Sequence, residues 1–179
     1  GRKREAALNA LCDKVYYYQR NNNKTGILSS KPFIVVSRSS DELLKRLAAD
    51  QHPVLFEGIH TCLYLSHPSL SHKKRFVRTH NIEHEYYNGL AQAESDPLKV
   101  LYFQSESRKL KRFEKNLSQA TGILTISKND ELHFSQINPN ICTVSAFHPS
   151  EKINIRHGLG SFALYHGSLD VSENNRAAL

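Results

Sequence analysis

Short apolar runs alternate with segments of helical periodicity along most of this chain, and that alternation most constrains its fold. Buried strands of a parallel sheet form unbroken apolar runs, because helices cover both faces of the sheet. The sequence therefore predicts an α/β fold with a Rossmann-like, mostly parallel sheet flanked by helices. The predicted strands are residues 32–38, 54–58, 75–79, 122–127, 141–145 and 161–167.

The intervening segments carry helix signals. Ser39, Ser40 and Asp41 offer N-caps for one helix, and Pro97 suits the first turn of another. The long helical segment is expected to break near residues 95–97 for that reason. Helices are predicted at residues 3–20, 42–49, 59–65, 83–119 and 131–136, and a further helix is predicted to start at 173–179.

Composition indicates an ordinary globular protein. Of the 179 residues, 39% are hydrophobic and 23% charged, and no apolar run approaches the ~20 residues of a membrane helix. No signal peptide is recognised at the start of the sequence. The three cysteines, Cys12, Cys62 and Cys142, are scattered and odd in number, which argues against a disulfide framework. A reducing, cytoplasmic location is predicted, with peripheral membrane contact through a basic surface left open.

The net charge of +7 favours anionic partners such as nucleic acid, anionic lipid or phosphorylated small molecules, although a solvated basic face explains it equally well. Aromatic residues do not alternate with the cations as they would in a stacking platform for bases, so no nucleic-acid partner is expected. The basic cluster at residues 71–75 is interpreted mainly as a solvated loop. Contact with an anionic acceptor or lipid head groups is the alternative.

A polar stretch, Arg78 to Tyr87, follows the strand predicted at 75–79. It brings His80 and Asn81 to the carboxyl edge of the sheet, where open α/β sheets bind ligands. An imidazole titrates near neutral pH and can handle protons. His80 is therefore the predicted centre of a site, although a histidine that simply caps a strand end is the plainer interpretation.

Three further residues are candidates at the same edge. Glu57 ends a predicted strand before Gly58, which permits a tight turn, and its carboxylate is either a contact for a ligand hydroxyl or a surface acid. Glu83 either orients His80 or is a first-turn acid favoured by the helix dipole. Ser127 ends a predicted strand and is a candidate cap for the helix after it.

Four motifs follow one another along the chain: VLFEG at 54–58, RTHNIE at 78–83, ILTISKND at 123–130, and FALYHGSL at 162–169 followed by Glu-Asn at 173–174. In this order they resemble the retaining glycosyltransferases of the group 1 (family 4) type. These enzymes have two Rossmann-like domains that face each other across a cleft, the GT-B architecture. The resemblance implies that residues 1–145 are the later part of the N-terminal, acceptor-side domain, that 146–160 are a linker and that 161–179 begin the donor-side domain.

The same resemblance implies the activity and its site. A sugar would pass from a nucleotide-sugar donor to a saccharide or lipid-linked acceptor with retention of configuration, without metal or cofactor. His80 would lie in the cleft near acceptor and donor sugar, with Ser127 lining it. Gly167 and Ser168 would face the donor diphosphate, but no cation follows them before Arg176, unlike the common family pattern. A chain with these bounds is expected to be an incomplete, inactive part of the enzyme.

Two rival functions remain open. A sugar-phosphate epimerase or phosphatase-like enzyme would need a glycine-rich phosphate loop or an acidic nucleophile at a strand end. A basic α/β domain that binds nucleic acid would show an affinity that falls steeply with salt.

Overall fold

A computed structural model describes residues 5–147, 152, 158–162, 164 and 174. Its sheet has four strands in the order β1-β2-β3-β4, and every neighbouring pair is parallel. Helices flank this sheet, so the predicted α/β, Rossmann-like class is confirmed. The strands are β1 (Val54–Glu57), β2 (Arg75–Arg78), β3 (Gly122–Thr125) and β4 (Ile141–Thr143).

Six α-helices and four 3₁₀ helices occur in the described residues. None of these helices combines the length and the apolar character that crossing a membrane requires. The α-helices are α1 (Glu5–Asn9), α2 (Phe33–Val36), α3 (Asp41–Ala48), α4 (Glu83–Ala93), α5 (Pro97–Phe113) and α6 (Lys128–Ser135). The 3₁₀ helices are Lys24–Leu28, Ile59–Tyr64, Pro68–Leu70 and Glu114–Gln119.

The core lies between the sheet and these helices. Phe56, Val77 and Ile123 contribute one buried side chain each from β1, β2 and β3. Leu110 of α5 and Leu117 of the 3₁₀ helix that follows it are fully buried in the same core. Burial of this kind contributes about 1.5–3 kcal/mol for each large apolar side chain.

Several predicted helix starts are confirmed by their caps. The Ser40 side chain accepts a hydrogen bond from the Leu43 amide at the start of α3. Asp96 accepts from the amides of Leu98 and Lys99, and Pro97 occupies the first turn of α5. These caps satisfy amides that have no partner within the helix.

The helix predicted at 3–20 is wrong beyond Asn9, where α1 ends. Residues 14–23 are irregular and lie over α3. Arg46 of α3 stacks on the Tyr16 ring at 3.6 Å, and its Nε donates to the Tyr18 hydroxyl at 2.8 Å. Aromatic residues have only middling helix propensity, so these side-chain contacts set the path of the chain.

The strand predicted at 32–38 is also wrong, because residues 33–36 form the helical turn α2. The Phe33 amide, free at a helix start, donates to the Glu106 carboxylate of α5 at 2.6 Å. Val35 is fully buried in the core. A buried turn held by a distant carboxylate therefore replaces the local β preference of Ile34, Val35 and Val36.

Other differences concern element ends. The predicted helix 131–136 begins earlier, at Lys128, and the predicted helix 59–65 is a 3₁₀ helix. Residues 161, 162 and 164 are not in a strand, and the rest of the strand predicted at 161–167 lies outside the described residues. The helix start predicted at 173–179 likewise lies outside them, apart from Asn174.

Candidate functional site at the carboxyl edge of the sheet

His80 and Glu57 meet at the carboxyl edge of the parallel sheet. Glu57 ends β1 in register with Arg78, and His80 follows the end of β2 by two residues. His80 Nε2 lies 2.7 Å from Glu57 Oε2. The His80 side chain is 45% exposed, so the ring borders open space rather than the core. Two residues predicted for the site are thus brought together where the sequence places them.

The contact with Glu57 defines the roles of the two His80 nitrogens. A carboxylate accepts, so Nε2–H donates to it, and Nδ1 of the neutral ring then carries the lone pair. Arg78 also approaches Glu57, with Nη1 3.5 Å from Oε1. His80 is therefore oriented from one side and offers an acceptor on the other.

A second histidine, His60, lies behind this pair in the 3₁₀ helix after β1. Burial, with smaller contributions from the charges of Arg38, His80 and Arg20, lowers the pKa of His60 to about 4, and the charge of Glu57 opposes the shift. The His60 ring is therefore neutral at pH 7, and its nitrogens act as neutral hydrogen-bonding groups.

We expect His60 to make the fold sensitive to acid. Above pH 6.5, its ordinary pKa, the ring is neutral in both states and has no effect. Between pH 6.5 and about 4 the unfolded chain takes up a proton that the folded chain does not, so stability falls. With screening around this half-buried ring, the loss in the free energy of unfolding is about 1–2 kcal/mol.

Urea unfolding at pH 7 and pH 4.5 should show that His60→Gln loses less stability on acidification than the parent. The control variant His52→Gln, at an exposed histidine, should lose as much stability between pH 7 and pH 4.5 as the parent. An equal loss of stability in all three proteins would contradict this role of His60.

Gly58 fixes the turn between Glu57 and His60. Its φ of +81° with ψ of 149° is a conformation that side chains disfavour, and a Cβ there would lie 2.4 Å from His60 Cε1. A glycine is therefore needed here both for the backbone conformation and for the space that the His60 ring occupies.

We expect Gly58→Ala to lower the free energy of unfolding by about 1–3 kcal/mol, because strained backbone adds to displacement of the His60 ring. Chemical denaturation measures this. Gly160→Ala is the matched control, since its Cβ would only touch Phe162 O at 3.5 Å. A cost for Gly58→Ala no larger than that of the control would show that the turn relaxes freely.

Two arginines add positive charge beside the edge. A cavity of about 270 Å³ is lined by Arg20 and Arg38 together with Tyr18, Thr61 and Tyr64. Burial and the charge of Arg20 both lower the pKa of Arg38. Arg20 Nε donates to Ser37 Oγ at 2.8 Å, and Arg38 donates to the Ile34 carbonyl, so neutral groups hold both guanidiniums. Their charge remains available to an anion.

Glu83 and Asn81 complete the edge. Burial raises the pKa of Glu83, with Glu114 adding to the shift and the charges of His80 and Arg38 opposing it. Asn81 Oδ1 is buried and has no hydrogen-bond partner within the described residues. An unpaired buried acceptor next to His80 is the kind of atom that a bound hydroxyl would satisfy.

Ser127 is a helix cap. Its Oγ accepts from the Asp130 amide at 3.1 Å and donates to Asp130 Oδ2 at 2.7 Å, and α6 begins at the next residue. The cap interpretation is confirmed, and the hydroxyl proton is already engaged locally.

The remaining predicted sites are the donor loop at Gly167 and Ser168 and the basic cluster at residues 71–75. Gly167 and Ser168 lie outside the described residues. In the basic cluster at 71–75, Lys73 is 5% exposed and bonds to Asp50 Oδ1 at 2.7 Å, and Arg75 Nη1 donates to the Leu65 carbonyl at 2.7 Å. These two cations stabilise the fold, which leaves His72 and Lys74 as the exposed part of the cluster.

Sequence reasoning missed Arg20, Arg38 and His60. Arg20 fell within the helix predicted at 3–20 and Arg38 within the strand predicted at 32–38, so neither was expected beside the site. His60 could have been found, because it follows the end of β1 closely, as His80 follows β2.

Comparisons with family models, with curated proteins and with solved structures found nothing that matches this chain. Function has to be inferred from its own residues.

Proposed function

We propose that this chain forms the acceptor side of a retaining glycosyltransferase and binds a saccharide that carries an anionic group. The observation that carries the proposal is His80, which is held by Glu57 at the carboxyl edge of a parallel sheet with its ring exposed. Small polar ligands bind at this edge in open α/β sheets.

The groups around His80 suit a phosphorylated sugar. Saccharide hydroxyls both donate and accept hydrogen bonds, and His80 Nδ1, Glu57 and the unpaired Asn81 Oδ1 offer acceptors. Arg20 and Arg38 line the cavity beside this edge and provide charge for a phosphate of the acceptor. A saccharide carried on a lipid phosphate combines the same two chemistries.

Sugar transfer requires the acceptor oxygen to bond to the anomeric carbon of the donor while the bond from that carbon to the diphosphate breaks. The bonding electrons leave with the nucleoside diphosphate, which also receives the hydroxyl proton in the overall balance. His80 accepts a hydrogen bond from the reacting or a neighbouring hydroxyl through Nδ1. Most of the rate gain then comes from positioning and from stabilising the leaving group.

The test is binding of sugar phosphates and lipid-phosphate saccharides to the 179-residue chain, measured by isothermal titration calorimetry and by chemical shifts of the histidine rings. We expect saturable binding that shifts the His80 ring signals and is weakened by Arg38→Gln. If neither sugar phosphates nor lipid-phosphate saccharides bind, the proposal is contradicted. Assays of sugar transfer from nucleotide-sugar donors, on a native chain that includes a donor-side domain, test the reaction itself.

The rival functions give different results in the same experiments. A nucleic-acid domain would bind oligonucleotides with an affinity that falls steeply as salt rises. A sugar-phosphate-modifying enzyme would convert a sugar phosphate without any nucleotide-sugar donor. Either result, obtained without transfer, would replace the glycosyltransferase proposal.

A further inference from the structure

Two histidines and a glutamate from three helical segments meet away from the His80–Glu57 pair. His84 lies in the first turn of α4, Glu114 begins the 3₁₀ helix after α5, and His133 lies in the last turn of α6. His84 Nδ1 is 2.8 Å and 2.9 Å from the two Glu114 oxygens, and His133 Nε2 is 3.2 Å from Oε2. One ligand atom from each residue lies within 4.8 Å of the others.

The cluster is shielded from water on most sides. The side chains of His84 and Glu114 are 11% and 2% exposed, and that of His133 is 28% exposed. Burying a carboxylate is costly unless positive charge compensates it. Among the described residues, Glu114 pairs with these two imidazoles and with no Lys or Arg side chain. A bound cation would compensate its charge.

The local backbone holds the ligands in place. Ser107 Oγ donates to the His84 carbonyl at 2.7 Å, which ties the first turn of α4 to α5. The His84 and His133 rings are tilted by 43° with centroids 5.4 Å apart, and the His133 ring packs edge-on against Phe134, which is 1% exposed. A rigid ligand set of this kind needs little reorganisation on binding an ion.

We propose that His84, Glu114 and His133 form a binding site for a divalent transition-metal ion, with zinc the best match. Two imidazoles and one carboxylate are a common zinc ligand set, with a fourth position left for water. Ligand atoms about 2.0–2.1 Å from a tetrahedral zinc ion are about 3.3 Å apart. The distances from the two ring nitrogens to the Glu114 oxygens, 2.8–3.2 Å, are close to that spacing, and all three ligand atoms lie within 4.8 Å of one another. The partly exposed His133 gives the ion a route from solvent. The ion would clamp α4, the Glu114–Gln119 segment and α6 together.

This inference does not depend on the proposed function, and zinc alone is the probe. The 179-residue chain is prepared with Cys12→Ser and Cys142→Ser, because both thiols are exposed and bind zinc themselves, while Cys62 is buried. Calorimetry with Zn²⁺ is expected to give one saturable site, and Zn²⁺ but not Mg²⁺ or Ca²⁺ is expected to raise the Tm. His133→Ala should weaken binding by at least about tenfold.

His52→Ala is the matched control, because His52 is an exposed histidine far from this cluster in sequence. It should bind zinc like the parent. If His133→Ala fails to fold, the visible spectrum of Co²⁺ bound to the parent decides instead, since intense tetrahedral bands support the site and a weak octahedral spectrum overturns it. Absence of stoichiometric zinc binding, or equal affinity in His133→Ala and His52→Ala, would leave only a hydrogen-bonded cluster.

Discussion

Glu106→Ala is expected to lower the free energy of unfolding by about 3–5 kcal/mol, the usual cost of breaking a buried ion pair from one side. Glu106 is fully buried and receives hydrogen bonds from Lys109 Nζ at 2.9 Å and from the Phe33 amide at 2.6 Å. Lys109 Nζ also donates to the Ile27 carbonyl at 2.6 Å. Loss of the carboxylate leaves a buried ammonium unpaired and releases residues 27–33 from α5. Urea unfolding measures the loss, and limited proteolysis is expected to show earlier cleavage before Phe33.

The control for Glu106 is Glu85→Ala, because Glu85 is an exposed acid in the first turn of α4. That change should stay within about 0.5 kcal/mol. Replacing Glu106 and Lys109 together by leucine and methionine should recover part of the loss, since no unpaired charge remains. A cost below about 1 kcal/mol for Glu106→Ala would show that this pair does not anchor the N-terminal segment.

His80→Ala is expected to lower kcat/KM for sugar transfer by about 100-fold, the lower range for loss of a positioned acid–base group. The reason is that the substitution removes the nitrogen acceptor that Glu57 orients. The Tm should hardly change, because the ring is 45% exposed. Steady-state transfer kinetics on a native chain that includes a donor-side domain measure the effect.

His52→Ala is the control for His80, since His52 is exposed and lies outside both the His80–Glu57 pair and the basic cluster. Glu57→Gln separates positioning from direct contact. It keeps a hydrogen-bond acceptor for Nε2 but removes the charge, so we expect a smaller loss of rate and an altered pH profile. Unchanged turnover of His80→Ala would remove the imidazole from the reaction.

The starts of all four strands, and the shared edge of His80 and Glu57, could be predicted from the sequence. Each strand is a short apolar run, and parallel pairing brings the ends of neighbouring strands to one edge. The ends of the strands were placed less well, since the strands stop one residue earlier than predicted in β1 and β2 and two residues earlier in β3 and β4. The contact between His80 and Glu57 was not predicted, because the sequence places both residues at the edge without fixing their side chains.

The arginine cavity could not be predicted, because non-local contacts build it. Phe33 and Glu106 are 73 positions apart in sequence, and Arg46 reaches Tyr18 across 28. Such contacts override local propensities that favour a strand at 32–38 and a helix through residue 20. The cluster around Glu114 could not be predicted for a similar reason. His84 and His133 lie 30 and 19 residues from Glu114 in the sequence, so the three residues form no short motif.

The bond between the Phe33 amide and Glu106 also bears on the order in which the molecule assembles. Because this bond closes a long loop between the turn before Arg38 and α5, we expect the arginine cavity to form late in folding. An anion that bridges Arg20 and Arg38 would then slow the local opening of residues 20–38. Ligand occupancy should slow amide hydrogen exchange in residues 20–38 more than in the sheet.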